Sequence, residues 1–231
     1  MPLNPRLRRF IRRELLPIAL VVLVTCCVRS AIADWNIVPT GSMNPSIIEG
    51  DRIFVNKLAY GLRIPFTEVH LAQWSTPSRG DVITFCSPKD GTTLVKRVIG
   101  LPGDTVAMEN ERLLINGVAA DYAPATTAAS SDLPAALQTG HQFASEQIPG
   151  APQHEVMATP SLRAMRSFGP ITVPADHYFV LGDNRDNSAD SRYIGAIPLQ
   201  NIYGRSSRVI LSFDPATHLP RWGRTFEAIS R

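Results

Sequence analysis

Five arginines (Arg6, Arg8, Arg9, Arg12 and Arg13) crowd the first thirteen residues of this chain. Directly after them, Leu15 to Val28 reads LLPIALVVLVTCCV, fourteen residues without a charge. No other feature restricts the fold as much. As a helix the run is about 21 Å long, short of the ~30 Å hydrocarbon core of a bilayer. Continuing it through Arg29, Ser30 and Ala31-Ile32-Ala33 gives about 28 Å, with Arg29 able to snorkel and Trp35 at the height of an interfacial aromatic. The alternatives are a buried core helix and a cleavable signal peptide. The second has a basic start, an apolar middle and an A-x-A ending at Ala31 and Ala33. We read residues 15–33 as an uncleaved transmembrane anchor behind a cytoplasmic basic tail, residues 1–14. The arginine asymmetry puts the N-terminus in the cytoplasm, and everything after residue 34 outside.

The 231 residues suffice for one medium domain with attachments, or for two small domains. Apolar residues make up 44% and charged residues 19%, so most of the chain should fold. Basic residues are 20 arginines and three lysines, Lys57, Lys89 and Lys96. Beyond the N-terminal cluster the charges roughly balance, which argues against an extended nucleic-acid face. Cys26 and Cys27 lie in the apolar run and Cys86 stands alone. A disulfide scaffold and a zinc site of closely spaced cysteines are both excluded.

From residue 34 to about 122, short β-branched or apolar runs alternate with turns. The runs are RIFV (52–55), DVITF (81–85), TLVKRVI (93–99), DTVAM (104–108) and RLLIN (112–116). Glu49-Gly50-Asp51, Ser87 to Gly91, Gly100 to Asp104 and Glu109-Asn110 punctuate them. Residues 123–170 turn to Ala, Ser, Thr, Pro and Gln with little periodicity. They read as an insertion or surface excursion, partly disordered, with room for one short helix. Strand character returns at ITV (171–173), HYFVLG (177–182), IYG (202–204) and SRVILSF (207–213). A mainly β domain, residues 34–122 and 171–231, thus stands on a membrane stalk.

Three places could carry chemistry. In Val38-Pro39-Thr40-Gly41-Ser42-Met43-Asn44-Pro45, two prolines and a glycine fix an irregular backbone around one hydroxyl. Ser42 lies nine residues beyond Ala33, within about 30 Å of the membrane surface. It is a turn residue or a nucleophile placed to meet a chain emerging from the bilayer. A serine nucleophile needs a base. Among the histidines, His177 precedes a strand and keeps a Ser–His–Asp arrangement open. A lysine also serves when desolvation strips its proton. Lys89 sits in a solvated turn, and Lys57 is ambiguous. Lys96 lies among Leu94, Val95, Val98 and Ile99 within a strand, where it either snorkels or catalyses. The third place is Gly182 to Arg192, GDNRDNSADSR. Asp186, Ser188 and Asp190 have a calcium-loop rhythm, but Ser191 and Ile197 stand where an EF-hand needs glycine and glutamate. The acids and arginines suggest instead an internally paired loop that holds a neighbouring site in shape.

Together, PTGSMNP (39–45), RGDVITF (79–85), KRVIGLPGD (96–104) and GDNRDNSADSRYIGAIP (182–198) resemble the bacterial type I signal peptidases, in the family's order. The resemblance implies a fold of two antiparallel β-sheets on a single transmembrane helix, with an apolar surface dipping into the bilayer. It implies a serine endopeptidase that removes signal peptides from exported preproteins after small-x-small sites. Ser42 would be the nucleophile and Lys96 the general base. Thr40, where many members have serine, would be an oxyanion donor beside the Ser42 N–H, and Ser188 would hydrogen-bond the lysine. Asp183, Asp190, Arg192 and Arg97 match supporting ion-pair positions. Candidates for lining the substrate pockets are Val38, Pro39, Met43, Ile47, Ile53, Leu94 and Val95. No cofactor, metal or nucleic acid is implied. The partners would be preproteins and membrane phospholipid, with the secretion translocon near by, at the cytoplasmic (inner) membrane with the catalytic domain on its outer side. Many Gram-negative members carry two N-terminal spans and a longer insertion. Two rivals remain: a self-cleaving repressor of the SOS type, which would need a DNA-binding module at the N-terminus, and a non-enzymatic anchored binding protein, which would tolerate loss of Ser42 and Lys96.

Overall fold

The computed structural model describes residues 9–67, 69–125, 133–134 and 137–229. Arg6 and Arg8 of the basic tail, and part of the Ala/Ser-rich stretch, lie outside the described residues. The N-terminal helix runs from Ile11 to Ala31, with mean hydropathy 1.9. Its first five residues (Ile11–Leu15) are π-wound and the rest is α1 (Leu16–Ala31). Its 21 residues span about 31 Å, the thickness of a hydrocarbon core. Leu16, Leu20 and Leu23 are all more than half exposed, so this is not a core helix. It is consistent with a membrane anchor.

The helix ends sooner than expected. Ile32 N–H donates to the Val28 carbonyl at 2.8 Å, and Ala33 already pairs with Asn56 in a strand. Lys57, ambiguous in the sequence, donates from Nζ to the carbonyls of Arg29 (2.8 Å) and Ser30 (3.3 Å). A cation there satisfies orphan carbonyls and opposes the negative helix end. Arg29 pairs with Asp34 at 2.7 Å and stacks over Trp35 at 4.4 Å. Ala31-Ile32-Ala33 is therefore divided between a helix end and a paired strand. It offers no extended, unpaired segment.

The strands follow in chain order: β1 (Ala33–Ile37), β2 (Asp51–Asn56), β3 (Gly61–Arg63), β4 (His70–Gln73), β5 (Val82–Cys86) and β6 (Thr93–Gly100). Next come β7 (Thr105–Glu109), β8 (Arg112–Ile115), β9 (Val118–Ala119), β10 (Asp121–Pro124), β11 (Gln142–Gln147) and β12 (His154–Ala158). Last are β13 (Phe168–Thr172), β14 (His177–Leu181), the short helix α2 (Ser191–Ile194), β15 (Ile197–Pro198) and β16 (Ile202–Ser212). The mainly β, antiparallel architecture on one N-terminal helix is as expected. Hydrogen bonding divides it more finely than into two sheets. One seven-stranded sheet has the order β1-β2-β16-β5-β6-β14-β15, beside smaller sheets β10-β11-β12, β13-β7-β8-β9 and β3-β4.

Local chemistry accounts for much of this. β2 alternates buried and half-buried positions, with Ile53 and Val55 at 0% exposure. That is the period of a sheet with one covered face. The β7–β8 and β8–β9 hairpins turn through Asn110-Glu111 and Asn116-Gly117, all four residues at positive φ. Two such residues in succession give the tight turn whose twist matches the strands. β16 fuses the two expected strands 202–204 and 207–213 into one, kinked by bulges. Between residues 142 and 158 the chain forms β11 and β12, where the sequence showed little periodicity.

Candidate active site

Residues 38–48 form a loop pinned at both ends. Val38 N–H donates to the Asp51 carbonyl and Gly50 N–H to the Val38 carbonyl, at 2.8 and 3.0 Å. Thr40 is extended (φ −139°) and the chain then tightens into a 3₁₀ turn over Gly41–Met43. Met43 and Ile47 are 1% and 0% exposed, in a cluster with Val38, Ile53, Val82, Val209 and Ile229. Burying each such side chain is worth about 1.5–3 kcal/mol. The loop is thereby fixed with Ser42 on its open side.

Lys96 is on β6, opposite Ile83 of β5, and only 2% exposed. Its Nζ donates to Ser42 Oγ at 2.7 Å and to the Val95 carbonyl at 2.8 Å. Burial pushes its pKa down from 10.5 to about 8, against the opposing pull of the Asp190 and Asp183 carboxylates. The lysine of the apolar strand thus does not snorkel. It reaches the serine 54 residues away. His177 pairs with Pro198, and its Nδ1 meets the Ala175 carbonyl at 2.7 Å. The hydrogen bond on the Ser42 hydroxyl comes from Lys96.

The polar loop after β14 packs beneath this pair. Arg97 donates Nε and Nη2 to the two Asp183 oxygens at 2.9 and 2.7 Å. Arg192 forks onto Asp190 through Nε and Nη2, both at 2.8 Å, and Asp190 also accepts from Gly182 N–H at 3.1 Å. Both ion pairs are buried. Burial alone would raise the Asp183 pKa, but the Arg97 guanidinium outweighs it and holds the carboxyl below its usual range. Asn184 is the residue that sequence reasoning passed over. Its N–H donates to the Ser42 carbonyl at 3.1 Å and its Nδ2 to the Gly41 carbonyl at 3.0 Å. It lay inside the quoted block, but nothing local distinguishes it from a solvated loop residue.

Ser188 departs from expectation. Its Oγ is buried without a hydrogen-bond partner, and Lys96 Nζ bonds Ser42 and its own strand neighbour instead. The loop brings Ser188 against Gly182: a Cβ at Gly182 would lie 2.2 Å from Ser188 Oγ.

A groove of about 440 Å³ opens at the pair. Val38, Pro39, Thr40, Met43, Ile47, Leu94 and Val95 line it. Ile53 does not; it is fully buried in the cluster behind the loop. Ile37, Val55, Thr84 and Tyr203 also line the groove, and distant strands supply them without a common motif. Such an apolar groove beside a hydroxyl and a buried amine can hold an extended peptide and present one carbonyl to the serine.

A family model described as "Signal peptidase, peptidase S26" matches residues 11–211. Signal peptidase I of Pseudomonas fluorescens is 37% identical over 227 residues, covering 92% of this chain and 76% of that protein. Signal peptidase I of Pseudomonas aeruginosa is 36% identical over 228 residues, with the same two coverages. A crystal structure of a signal peptidase I from Enterococcus faecalis is 32% identical, covers 57% of this chain and 97% of its own, and has a TM-score of 0.34.

Proposed function

The chain belongs to the signal peptidase family, peptidase S26, and from that premise we propose that it cleaves signal peptides through a Ser42–Lys96 dyad. One observation carries the reading: the Lys96 amine, buried in a β-strand, sits 2.7 Å from the Ser42 hydroxyl. Lys96 takes the serine proton as Ser42 attacks the scissile carbonyl, then delivers it to the leaving amine. Water, deprotonated by the same amine, clears the acyl-enzyme. The Ser42 N–H and the Thr40 hydroxyl, which borders the groove, receive the developing oxyanion. The Arg97–Asp183 and Arg192–Asp190 pairs hold the surroundings of the amine.

The groove walls made by Val38, Met43, Ile47, Leu94 and Val95 favour small side chains at the first and third positions before the cut. A preprotein with an Ala-x-Ala end is expected to be cut after the second alanine by the full-length protein in detergent. Changing that alanine to phenylalanine should stop release of the mature chain, as seen on a gel. Equal cleavage of both substrates would sink the specificity.

Exported preproteins are thus the substrates, met beside the secretion translocon as they leave the inner membrane. Phospholipid contact is supported by the β3–β4 hairpin, whose Phe66 N–H donates to Ser30 Oγ at the helix end at 2.8 Å. Phe66, Leu71 and Trp74 are each more than half exposed, an unusual apolar surface for water and an ordinary one for a lipid interface. With five arginines before the apolar run that starts at Leu15 and Arg29 alone just after it, the catalytic domain faces outward. A reporter that works only outside the cytoplasm should be active when fused after Arg231; activity of a cytoplasm-only reporter there would reverse the orientation.

A further inference from the structure

Glu146 of β11 lies outside every block that carries the family resemblance, yet it is 0% exposed. Its carboxylate accepts from both terminal nitrogens of Arg185, Nη1 at 2.7 Å and Nη2 closer still. It also accepts from the Tyr122 hydroxyl and lies 3.2 Å from His154 Nε2. Tyr122, Glu146 and His154 come from the three strands of the β10-β11-β12 sheet. Arg185, 3% exposed, comes from the loop beneath the serine. Burial alone would raise the Glu146 pKa, but Arg185 and His154 outweigh it and hold the carboxyl well below its usual range. Burial and then the Arg97 guanidinium push the His154 pKa down, toward the neutral ring. One anion and one cation are thus enclosed together.

An enclosed ion pair is a poor way to stabilise a fold, because apolar replacements of similar volume often do as well or better. It does fix geometry, since a two-pronged pair tolerates one orientation. What it fixes here is the backbone beside the serine. Arg185 N–H donates to the Met157 carbonyl and Met157 N–H to the Asp183 carbonyl, each at 2.8 Å. Between them, Asn184 holds the carbonyls of Gly41 and Ser42. We propose that Glu146 is a positioning residue: through Arg185 it holds Asn184, and through Asn184 the loop that aims Ser42, so the inserted sheet belongs to the active-site framework. This rests on the reading of Ser42 as the nucleophile.

The test uses the full-length protein and a preprotein. Glu146→Gln is expected to lower kcat at least tenfold with KM within twofold of wild type, since positioning acts on the chemical step. Glu146→Leu with Arg185→Met removes both charges. That double variant should melt at or above the wild-type temperature and still show the kcat loss. A wild-type kcat in either folded variant, a rise in KM at unchanged kcat, or failure of both to fold overturns the proposal, for the pair would then serve the fold or substrate binding. Ser42→Ala in the same assay separates the two ideas. If it still cleaves, the nucleophile is wrong. If it is silent while the Glu146 variants match wild type, only the positioning role fails.

Discussion

Lys96→Arg should give a folded, membrane-inserted protein whose cleavage of a preprotein is slower by on the order of 10³-fold. A free lysine at pH 7.5 is neutral in about one molecule per thousand. With the pKa pushed down to about 8, the neutral fraction at that pH is about a quarter, and the amine can accept a proton from Ser42. Arginine keeps the length and the charge but does not release its proton in this range. The wild-type rate should therefore climb on the alkaline side of neutrality with a midpoint near the Lys96 value of about 8. His177→Ala should keep substantial activity, because its ring meets the Ala175 carbonyl and not the serine. Near wild-type cleavage by the arginine variant, or a dead alanine variant, would falsify the dyad.

The same burial has a stability consequence whose sign is fixed. Lowering the Lys96 pKa from 10.5 to about 8 is worth about 3 kcal/mol against the protonated folded state. The cost is complete below about pH 8, shrinks as pH rises toward the unfolded value near 10.5, and vanishes above it. Lys96→Met should thus be inactive and yet at least as stable at pH 7 as the wild type. On the proposed mechanism the lysine serves the chemistry and not the fold.

How much of this was legible depended on whether one residue type can do one local job. The strands read well wherever β-branched runs met a covered face, as in Arg52 to Val55 and Asp81 to Phe85. Ser42 could be singled out by its irregular loop near the membrane and Lys96 by its four apolar neighbours in sequence, but their pairing followed only from the family blocks. The β10-β11-β12 sheet was not legible. Glu146, His154 and Ser145 are buried polar residues, and β11 and β12 bury neighbours in succession (Ser145-Glu146, Val156-Met157), so no apolar alternation marks the covered face. The helix end was misjudged for a similar reason. Ala31 and Ile32 fit a membrane span well, but the hydrogen bonds from Lys57, 26 residues after Ala31, and the pairing of Ala33 with Asn56 end it. Ser188 could be placed near the site, but not its orientation, which depends on how closely Gly182 lets two loops approach.

That approach leads to the second large effect, for Gly182→Ala. Gly182 follows β14, and its N–H is fixed by Asp190 at 3.1 Å. A methyl group added there would lie 2.5 Å from the Ser42 carbonyl oxygen, 2.2 Å from Ser188 Oγ and 2.6 Å from Ser188 Cβ. The first contact is with backbone, which cannot swing aside as a side-chain tip can. Relief requires the serine loop to retreat from the polar loop, stretching the 3.1 Å bond from Asn184 N–H to the Ser42 carbonyl. The overpacking itself costs about 1–3 kcal/mol, too little to unfold most domains. Catalysis should suffer far more, because a shift of about 1 Å between nucleophile and base costs on the order of 10²-fold. The 2.7 Å contact between Lys96 Nζ and Ser42 Oγ has little room to lengthen before the proton transfer fails. Gly182→Ala should therefore show kcat down by on the order of 10²-fold, with circular dichroism unchanged at a temperature well below its melting point. Full activity in that variant would mean that the two loops part without moving Ser42, and that the polar loop does not aim the serine.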